Sequence, residues 1–399
     1  MISKQQHILI AGGGIGGLSA ALAFAKRGAR VSVFEKRAVL GEVGAGLQLS
    51  ANAMHVLSAL GVEAEIRAAG FAPNAAVLRD YQSGKPLLTT PLKHAHRARY
   101  RQDYLHIHRA DLHRILFEAA IDAGAKIHSG NQAMRYTQSD NQITLHLDQH
   151  TVSGDILIGA DGLHSQIQTQ ILGVQKPQFT GQIAWRGLVP AKALPTGAIP
   201  PDANAWLGPG AHFVAYYVRG GDMINFVAVR EQKQWTKESW HEAGEVKNLR
   251  NAFAGWDPRI TALLGACDQC YLWGLFDRKP LPKWTDGRAA LLGDAAHPML
   301  PFMAQGAAMA IEDAWVLAAS VTAQAGMPAA ALADYETRRK PRASKIQAIS
   351  RDNAKLFHTR SASGRRFRQL KLAIANKAPA LRHARLDRIY KTNVTQNSK

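Results

Sequence analysis

The chain has 399 residues, 46% of them hydrophobic, and a formal net charge of +19. This length and apolar content are enough for a sizeable core and fit one large domain or two interleaved domains. No stretch of about 20 uncharged apolar residues stands clear, so the sequence predicts no membrane span.

The first 35 residues predict a strand, a helix and a second strand joined by a glycine-rich turn. An apolar run precedes Gly12, Gly14 and Gly17, which are spaced as G-x-G-x-x-G. A helix-like run follows over residues 18–28, and a second apolar run ends directly at Glu35. This order is typical of a dinucleotide-binding fingerprint.

Each residue of this fingerprint has a physical role. Gly12 allows the tight turn, Gly14 lets backbone N–H groups approach a pyrophosphate, and Gly17 lets the helix pack closely on the strand. The N-terminus of the helix favours the phosphate charge. The carboxylate of Glu35 can accept a hydrogen bond from a ribose hydroxyl. The motif by itself leaves NAD and FAD open.

The predicted secondary-structure pattern of the rest of the chain changes twice. Helices and strands alternate up to a buried strand predicted at residues 156–158. Alternating strands joined by glycine-rich turns dominate residues 179–273, which is typical of an antiparallel sheet. The α/β pattern resumes with a strand over 289–292 and a helix over 306–319.

These patterns predict an α/β fold in which a Rossmann-like nucleotide-binding domain is interrupted by an inserted antiparallel β-sheet. We assign residues 1–72, 100–178 and 274–330 to the nucleotide-binding domain. Residues 73–99 and 179–273 are assigned to a substrate-binding domain. Because ligand pockets favour domain interfaces, we expect the ligand between the two.

The C-terminal region, residues 331–399, is predicted to be helical and strongly basic. From residue 338 onward it holds 18 Lys and Arg against two Asp, and thus sixteen of the nineteen net positive charges. We expect helix breaks at Pro341 and Pro379. The charge fits a solvated helical face, and it leaves a weak contact with an anionic membrane or an acidic partner open. No nucleic-acid-binding signature is present, so we expect no such partner.

The two cysteines, Cys267 and Cys270, form a C-x-x-C pair. No second Cys or His pair with zinc-finger spacing accompanies them, so we interpret them as ordinary thiols near the start of a strand. We expect no metal site. The low cysteine count fits a reducing compartment, which predicts a cytoplasmic protein.

Two later segments again place a carboxylate after a strand. Asp161 follows the buried strand within Gly159-Ala160-Asp161-Gly162, and Asp294 follows another within Gly293-Asp294-Ala295-Ala296-His297-Pro298. Ligands bind at such strand ends in open α/β sheets. Either Asp taken singly fits a helix cap or a turn, but three strand-end motifs in one chain favour a common ligand.

With these motifs the chain resembles the class A flavoprotein monooxygenases, which are FAD-dependent aromatic hydroxylases with a GR2-type FAD-binding domain. Within that class it is most similar to the salicylate hydroxylase and 3-hydroxybenzoate 6-hydroxylase branch. The resemblance spans nearly the whole chain, and its matching segments lie at residues 12–17, 108–112, 161–162, 293–298 and 303–314.

The resemblance implies an enzyme that holds FAD non-covalently and uses NADH or NADPH with O₂. It implies hydroxylation of an aromatic ring through a flavin C4a-hydroperoxide. Glu35 is implied to bind the adenosine ribose, Arg109 to lie near the pyrophosphate or ribityl chain, and Asp161 to support the nicotinamide approach. The implied cofactor contacts are Gly12, Gly14, Gly16, Gly17, Glu35, Lys36, Gly46, Leu47, Arg109, Asp161, Asp294, Gly306 and Ala307.

The substrate pocket is predicted on the inserted sheet. A strand over residues 212–218 places His212 and Tyr216 on one face, and this pair resembles the pocket pair of the same branch. A base that holds the substrate as a phenolate would accelerate attack on an electrophilic oxygen. The catalytic candidates are His212, Tyr216, Tyr104, Gln305 and Pro298.

Two further residues have open interpretations. His297 is interpreted as a capping or packing residue rather than a base. Arg186 fits a structural ion pair, and a partner for a substrate carboxylate is the alternative.

Three functions remain open at this point. The first is hydroxylation of a small aromatic substrate of the phenol, hydroxybenzoate or pyridinol type. The second is hydroxylation or epoxidation of a lipophilic ring, such as a quinone precursor or polyene, at a membrane surface. The third is flavin binding without catalysis. The resemblance also suggests a homodimer.

Overall fold

The structure is a computed structural model and describes residues 6–38, 45–235 and 243–396. Its described strands are β1 (His7–Ala11), β2 (Arg30–Glu35), β3 (Gly46–Leu49), β4 (Ala75–Asp80), β5 (Pro86–Pro91), β6 (Leu105–His108), β7 (Lys126–Ser129), β8 (Ala133–Gln138), β9 (Ile143–Leu147), β10 (Thr151–Gly154), β11 (Ile156–Gly159), β12 (Gln178–Pro190), β13 (Ala203–Gly208), β14 (Ala211–Val218), β15 (Met223–Glu231), β16 (Ala243–Gly244), β17 (Cys270–Asp277), β18 (Thr285–Asp286) and β19 (Ala289–Leu291). Its described helices are α1 (Ile15–Ala25), α2 (Ala51–Ala59), α3 (Glu63–Ala69), α4 (His94–Tyr100), α5 (Arg109–Asp122), α6 (Gln166–Leu172), α7 (Val246–Ala252), α8 (Pro258–Gly265), α9 (Gly306–Ala323), α10 (Pro328–Phe357), α11 (Ala362–Lys377) and α12 (Pro379–Tyr390).

The first sheet brings the three predicted strand-end motifs to one edge. Its strand order is β18-β19-β11-β1-β2-β7, and β1 pairs in parallel with both β2 and β11. The register aligns Ala11 with Gly159, and Gly159 with Leu291. The residues that follow these three strands therefore lie side by side, although they are far apart in the chain. The α/β prediction is confirmed.

The second sheet is the predicted insertion. Its order is β16-β17-β12-β15-β14-β13-β4-β5, and the pairs along it are antiparallel except for the parallel pair β13–β4. The strands of residues 75–91 and 178–277 build it, so two separate chain segments contribute. The prediction of an inserted sheet is confirmed, with one parallel pair that the alternation pattern does not distinguish. The residue limits assigned to the domains stay a prediction.

Small residues let α1 and α9 pack closely over the first sheet. Both helices are almost wholly buried, which explains why their sequences are apolar on every side. A Cβ atom on Gly16 would lie 2.7 Å from Leu292 Cδ2 and 3.2 Å from Ala310 Cβ. Gly16 therefore permits the contact between α1, α9 and the segment after β19.

The long helix α10 corrects one prediction. It continues through Pro341, where a break was expected, whereas Pro379 does begin the new helix α12. Arg339 and Arg342 flank Pro341, and both bind Glu312 of α9. These tertiary contacts stabilise the helix at Pro341, where the backbone N–H donor of a helical hydrogen bond is missing.

The basic C-terminal region is also less exposed than a solvated face. Arg339 is 1% exposed and Arg368 is 3% exposed. Arg368 donates hydrogen bonds to the backbone carbonyls of Leu207 and Phe357, which ties α11 to the second sheet. Part of the positive charge of this region therefore lies on buried arginines that form contacts within the protein.

The two cysteines are free and buried at the start of β17, as ordinary thiols. Burial, and after it the nearby Cys267, raise the pKa of Cys270 to about 11. Across the described ranges, no helix is long and apolar enough to cross a membrane.

Candidate cofactor and active site

The glycine turn between β1 and α1 combines close packing with one open position. Gly12 has φ +107°, and a Cβ atom there would lie 2.3 Å from the Ala160 carbonyl oxygen. A Cβ atom on Gly17 would lie 2.0 Å from the carbonyl oxygen of Gly12. At Gly14, which precedes the first residue of α1, a Cβ atom would have no neighbour within 4 Å. The turn is thus closed toward the protein and open toward the cavity beside it.

A cavity of about 280 Å³ runs from this turn along the edge of the first sheet. Its wall includes seven of the residues predicted to contact the cofactor, namely Gly12, Gly14, Glu35, Lys36, Arg109, Asp161 and Asp294. Gly16 and Gly17 lie behind the turn as packing residues. The segments of Gly46-Leu47 and Gly306-Ala307 lie at β3 and at the start of α9.

Glu35 holds the turn and faces the cavity. Its Oε2 accepts a hydrogen bond from the Gly13 N–H at 2.8 Å, and Oε1 accepts one from the Arg37 N–H at 3.0 Å. An ionised carboxylate has about four acceptor positions, so two remain for hydroxyl donors. This arrangement suits a ribose.

Asp161 accepts hydrogen bonds at the start of a helix and also lines the cavity. Its Oδ1 accepts from the Ser165 hydroxyl at 2.5 Å, and Oδ2 accepts from the Gln166 N–H at 2.8 Å. It therefore caps the start of α6 while lining the cavity. Burial raises the pKa of Asp161, and the hydrogen bond from Ser165 opposes that shift.

A group of buried charges supports the segment after β19. Asp313 of α9 accepts hydrogen bonds from the Gly293 N–H at 3.2 Å and from Arg339 Nε at 2.7 Å, and its Oδ2 lies 2.5 Å from His297 Nε2. Arg339 also binds Glu312 at 2.5 Å, as does Arg342 at 2.7 Å. We call His297, Glu312, Asp313, Arg339 and Arg342 the α9–α10 ion network. His297 contacts Asp313 within it, and its interpretation as a capping or packing residue rather than a base stays a prediction.

Burial favours the neutral form of the two carboxyl groups in this network, but their partners outweigh it. His297 and Arg339 hold the pKa of Asp313 at about 2. Arg339 and Arg342 likewise lower the pKa of Glu312. Both groups are therefore ionised at neutral pH.

Gln305 and Pro298 form hydrogen bonds with residues around the α9–α10 ion network and do not line the cavity described above. The Gln305 amide donates to Ser50 Oγ at 3.0 Å and accepts from Asn52 Nδ2 at 3.1 Å. Asn52 also donates to Glu312 of the ion network at 2.7 Å. The Pro298 carbonyl accepts a hydrogen bond from Gln347 at 2.8 Å. Their catalytic roles stay predictions.

Tyr216 packs beneath β3. A Cβ atom on Gly46 would lie 2.5 Å from Tyr216 Cε2, so only glycine allows this approach. The Gly46 N–H donates to Asn225 Oδ1 at 2.7 Å, and the ring centroids of Tyr216 and His106 are 4.4 Å apart. Burial raises the pKa of Tyr216, so its phenol stays protonated.

Tyr104 lies beside this group. Its hydroxyl donates to Gln48 Oε1 of β3 at 2.6 Å. Its ring centroid is 5.9 Å from that of His106. Tyr104 and Tyr216 thus approach the same histidine from different elements.

His212 lies on the same face of β14 as Tyr216 but contacts another segment. Its ring centroid is 5.4 Å from that of Phe302, in the turn that precedes α9. Its Nδ1 lies 2.8 Å from Nε2 of His358, just after α10. The structure therefore brings β14 against both β3 and the segment before α9.

Three other residues of the site had no clear signal in the sequence. His113 lines the cavity, and its Nε2 lies 2.8 Å from the Gly13 carbonyl oxygen. Asn225 and His358 reach the site only through pairing of distant elements. Arg186, left open above, lines the cavity with its guanidinium 4.6 Å from the Trp273 ring centroid.

These residues fit FAD. The open glycine at the start of α1 suits a pyrophosphate, Glu35 suits a ribose, and the cavity continues to Asp294 and Arg186 under the second sheet. The fold and this cavity define an FAD-binding oxidoreductase.

Comparisons with known proteins agree. The chain belongs to the family of the FAD binding domain, whose model matches residues 5–350. It is 38% identical to 6-hydroxynicotinate 3-monooxygenase from Bordetella bronchiseptica over 88% of this chain and 91% of that protein. It is also 38% identical to 3-hydroxybenzoate 6-hydroxylase 1 from Aquipseudomonas alcaligenes over 87% of this chain and 88% of that protein.

A solved structure extends the comparison to three dimensions. A salicylate hydroxylase substrate complex superposes with a TM-score of 0.83 at 26% identity, covering 99% of this chain and 97% of that one. The protein is therefore a class A, FAD-dependent aromatic monooxygenase that uses NAD(P)H, as the resemblance implied. The two alternative functions are not supported.

Proposed function

We propose that this enzyme hydroxylates a small monocyclic ring that carries a hydroxyl group, of the hydroxybenzoate or hydroxypyridine carboxylate type. One observation carries the proposal: a single strand, β14, contacts both flavin-side segments. Tyr216 packs under Gly46, and His212 packs on Phe302. The named activities of the two relatives that are 38% identical support the same class of ring.

FAD, when bound, supplies the redox chemistry: it takes electrons from NAD(P)H and activates O₂. The residues of this chain orient the ring, exclude water and manage a proton. Leu275, Leu300 and Phe302 are buried around the His212 side of the sheet, which keeps that side dry. His212 is the group proposed to take the hydroxyl proton of the substrate, because an ionised ring is a better nucleophile.

The other candidates have positioning roles in this proposal. Tyr104 and Tyr216 present phenol groups near β3 and orient the ring by contact and hydrogen bonding. Gln305 fixes the start of α9 through Ser50 and Asn52. Pro298 lies in the segment proposed to follow the flavin edge.

Arg186 is proposed to attract the carboxylate of the substrate. It is 8% exposed and lines the cavity, and its positive charge acts on the Tyr216 phenol. A buried guanidinium can bind a carboxylate with two parallel hydrogen bonds. Arg186→Met should raise KM for 3-hydroxybenzoate about ten-fold more than KM for 3-methylphenol, which lacks the carboxylate. Equal changes for both compounds would remove this assignment.

The test of the proposed function is aromatic-dependent turnover. Purified holoenzyme should oxidise NADH or NADPH faster when salicylate, 3-hydroxybenzoate or 6-hydroxynicotinate is added, and mass spectrometry should show one added oxygen. His212→Ala should lower the hydroxylation rate about 100-fold while FAD content stays unchanged. The proposal fails if no hydroxylated aromatic stimulates oxidation above the basal rate.

We also propose a weak contact between α11 and an anionic membrane surface. Phe367, Leu370 and Ile374 are more than half exposed on this helix, and Lys371 and Lys377 lie among them. An exposed apolar stripe beside cations suits an anionic lipid surface. Co-sedimentation with phosphatidylserine vesicles, but not phosphatidylcholine vesicles, should detect it. A salt-insensitive dimer in sedimentation velocity, lost in Leu370→Ser, would show instead that a second copy covers the stripe.

The cytoplasmic location stays a prediction. The two free, buried thiols support it, because an oxidising compartment favours disulfides. Fractionation of native cells with an antibody against this chain would test it.

A further inference from the structure

The mechanism so far leaves unexplained why a second buried histidine touches His212. His212 is 3% exposed, and the ring centroids of His212 and His358 are 5.0 Å apart. Nδ1 of His212 lies 2.8 Å from Nε2 of His358, which is a hydrogen bond between the two imidazoles. His358 follows α10, 146 residues further along the chain.

The other nitrogen of His358 points away from His212 toward polar groups. Nδ1 of His358 lies 3.3 Å from Gln182 Nε2 of β12 and 3.7 Å from Glu231 Oε1 at the end of β15. The Glu231 side chain is 24% exposed and pairs with Arg360, which is mostly exposed. Polar groups therefore lead from buried His212 toward a carboxylate at the surface, through a hydrogen bond between the two histidines and a longer approach of 3.7 Å from His358 to Glu231.

Neither imidazole can hold a proton as a stable cation. Burial lowers the pKa of His212 well below its usual value, and the nearby His358 lowers it further. Burial, then Arg360 and Arg368, lower the pKa of His358 to about 4. Among the described residues, the charged groups beside the pair are Arg360 and Arg368, with Glu231 as a neighbouring anion. A proton that enters His212 must leave from the far side.

We propose that His358 is a positioning residue that completes a proton relay, His212–His358–Glu231, for the hydroxyl proton of the substrate. The relay rests on the proposed function, since it needs a ring hydroxyl near His212. It assigns a reaction role to the junction of α10 and α11, which lies beyond the three strand-end motifs.

The substrate O–H bond breaks as Nε2 of His212 gains the proton, and the Nδ1 proton of His212 moves to Nε2 of His358. The Nδ1 proton of His358 moves to the Glu231 carboxylate, which releases it to water. Both imidazoles end neutral with exchanged tautomers. The 3.3 Å contact between Gln182 Nε2, a donor, and His358 Nδ1 fits this state, and the starting state requires the Gln182 amide to turn its oxygen toward Nδ1–H of His358. Return of one proton along the same path to the product oxygen restores the starting state.

Two substitutions test the relay. His358→Gln keeps a polar partner for His212 but cannot pass a proton between two nitrogens. Glu231→Gln removes the final acceptor at a partly exposed position where the fold is not at risk. His55→Gln is the control. His55 lies on α2, binds the Tyr100 carbonyl oxygen and is outside the relay.

The first measurement needs no turnover. 4-Nitrophenol is titrated with pH while bound to the oxidised holoenzyme, and its phenolate absorbance is followed. We expect His358→Gln to raise the apparent pKa of the bound phenol, so that the phenolate fraction at pH 7 falls about ten-fold. In Glu231→Gln the phenolate fraction at pH 7 should fall about three-fold. His55→Gln should match the parent enzyme.

The second measurement is the pH profile of kcat with 3-hydroxybenzoate or 6-hydroxynicotinate. His358→Gln should lower kcat about ten-fold at neutral pH, leave KM within about two-fold, and recover toward high pH, where the substrate ionises unaided. A purely structural His358 would lower thermal stability and FAD content without shifting either profile.

Unchanged titration curves and unchanged kcat profiles in both variants would overturn the relay. If His358→Gln does not fold, the Glu231→Gln curve alone decides. Failure of the relay differs from failure of the proposed function: in the latter case the parent enzyme itself shows no aromatic-dependent oxidation.

Discussion

The two sides of the cofactor cavity, the glycine turn after β1 and the segment after β19, are stabilised in opposite ways. The glycine turn after β1 is held by backbone approach: an added Cβ would lie 2.3 Å from a neighbouring carbonyl oxygen at Gly12 and 2.0 Å at Gly17. The segment after β19 is held by buried charges, with Asp313 and Arg339 supplied by two different helices. The first side uses residues within one short stretch, whereas the second depends on partners about 20 to 50 residues away.

This difference explains what each side tolerates. Backbone packing fails as soon as a side chain appears, and it does so locally. A buried charge fails when its partner is removed, because the remaining charge stays desolvated. We therefore expect substitutions in the turn to act mainly on FAD and the adjacent packing, and those in the ion network to act on the whole domain.

The largest effect is expected at Arg339. Arg339→Met removes a buried cation that pairs with both Asp313 and Glu312. The loss should lower the unfolding free energy by about 3–5 kcal/mol. Arg338→Met is the matched control, because the Arg338 side chain is 32% exposed and pairs with Asp334 at 3.5 Å. That variant should change stability by less than about 0.5 kcal/mol. Urea denaturation measures both, and equal losses would contradict the ion network as a support.

A smaller effect is expected in the glycine turn. Gly17→Ala forces a methyl group against the Gly12 carbonyl, which should cost about 1–3 kcal/mol and abolish FAD retention. Gly14→Ala has open space and φ −74°, so the apoprotein should keep its melting temperature while FAD binds more weakly. Apoprotein Tm and flavin absorbance separate the two. Loss of Tm in Gly14→Ala would show that the turn has no open position.

Asp294 tests whether the charged side also touches the cofactor directly. Asp294 is exposed and lines the cavity, so Asp294→Ala should weaken FAD binding about ten-fold with little change in the apoprotein. Asp294→Asn keeps an acceptor oxygen and should recover part of that loss. Full FAD occupancy under dilution in the Ala variant would place the residue outside the contact.

The smallest effect concerns pH. The folded pKa of Asp313 is about 2, below its ordinary value of 3.8, so the folded state binds fewer protons than the unfolded state between these values. Its stabilisation is complete above about pH 4 and is lost as pH falls toward 2. The stability difference between the parent and Arg339→Met should narrow as pH falls, because protonation relieves the unpaired buried carboxylates of the variant and removes the stabilisation of the parent. A difference that stays constant from about pH 8 to pH 2 would contradict the ionised pair.

Much of the fold followed from the sequence because its signals are local. The glycine spacing, the strand that ends at Glu35 and the two later acids predicted the split α/β domain and the FAD cavity, and five of the cofactor residues outside the glycines line it. The alternating strands predicted the inserted sheet. Pro341 misled because a residue propensity was outweighed by the contacts of Arg339 and Arg342 with Glu312.

The substrate side was less accessible for a physical reason. His212 was predicted from strand alternation and resemblance, and its substrate role stays a prediction. Its contact with His358 and the hydrogen bond from Gly46 to Asn225 join residues 146 and 179 positions apart. Pairwise contacts over such separations leave no pattern in a single sequence.

The sequence by itself determined a dinucleotide site, because the spaced glycines and the acids at strand ends lie within short segments, and its resemblance to a known class of enzymes pointed to FAD. Only the tertiary structure decided how Gln305 is held, why Arg339 is buried, and which residue stands behind His212. Those facts depend on helices α9 and α10 and strand β14 meeting in space, and on the low polarity of the site that makes each buried polar group require a partner.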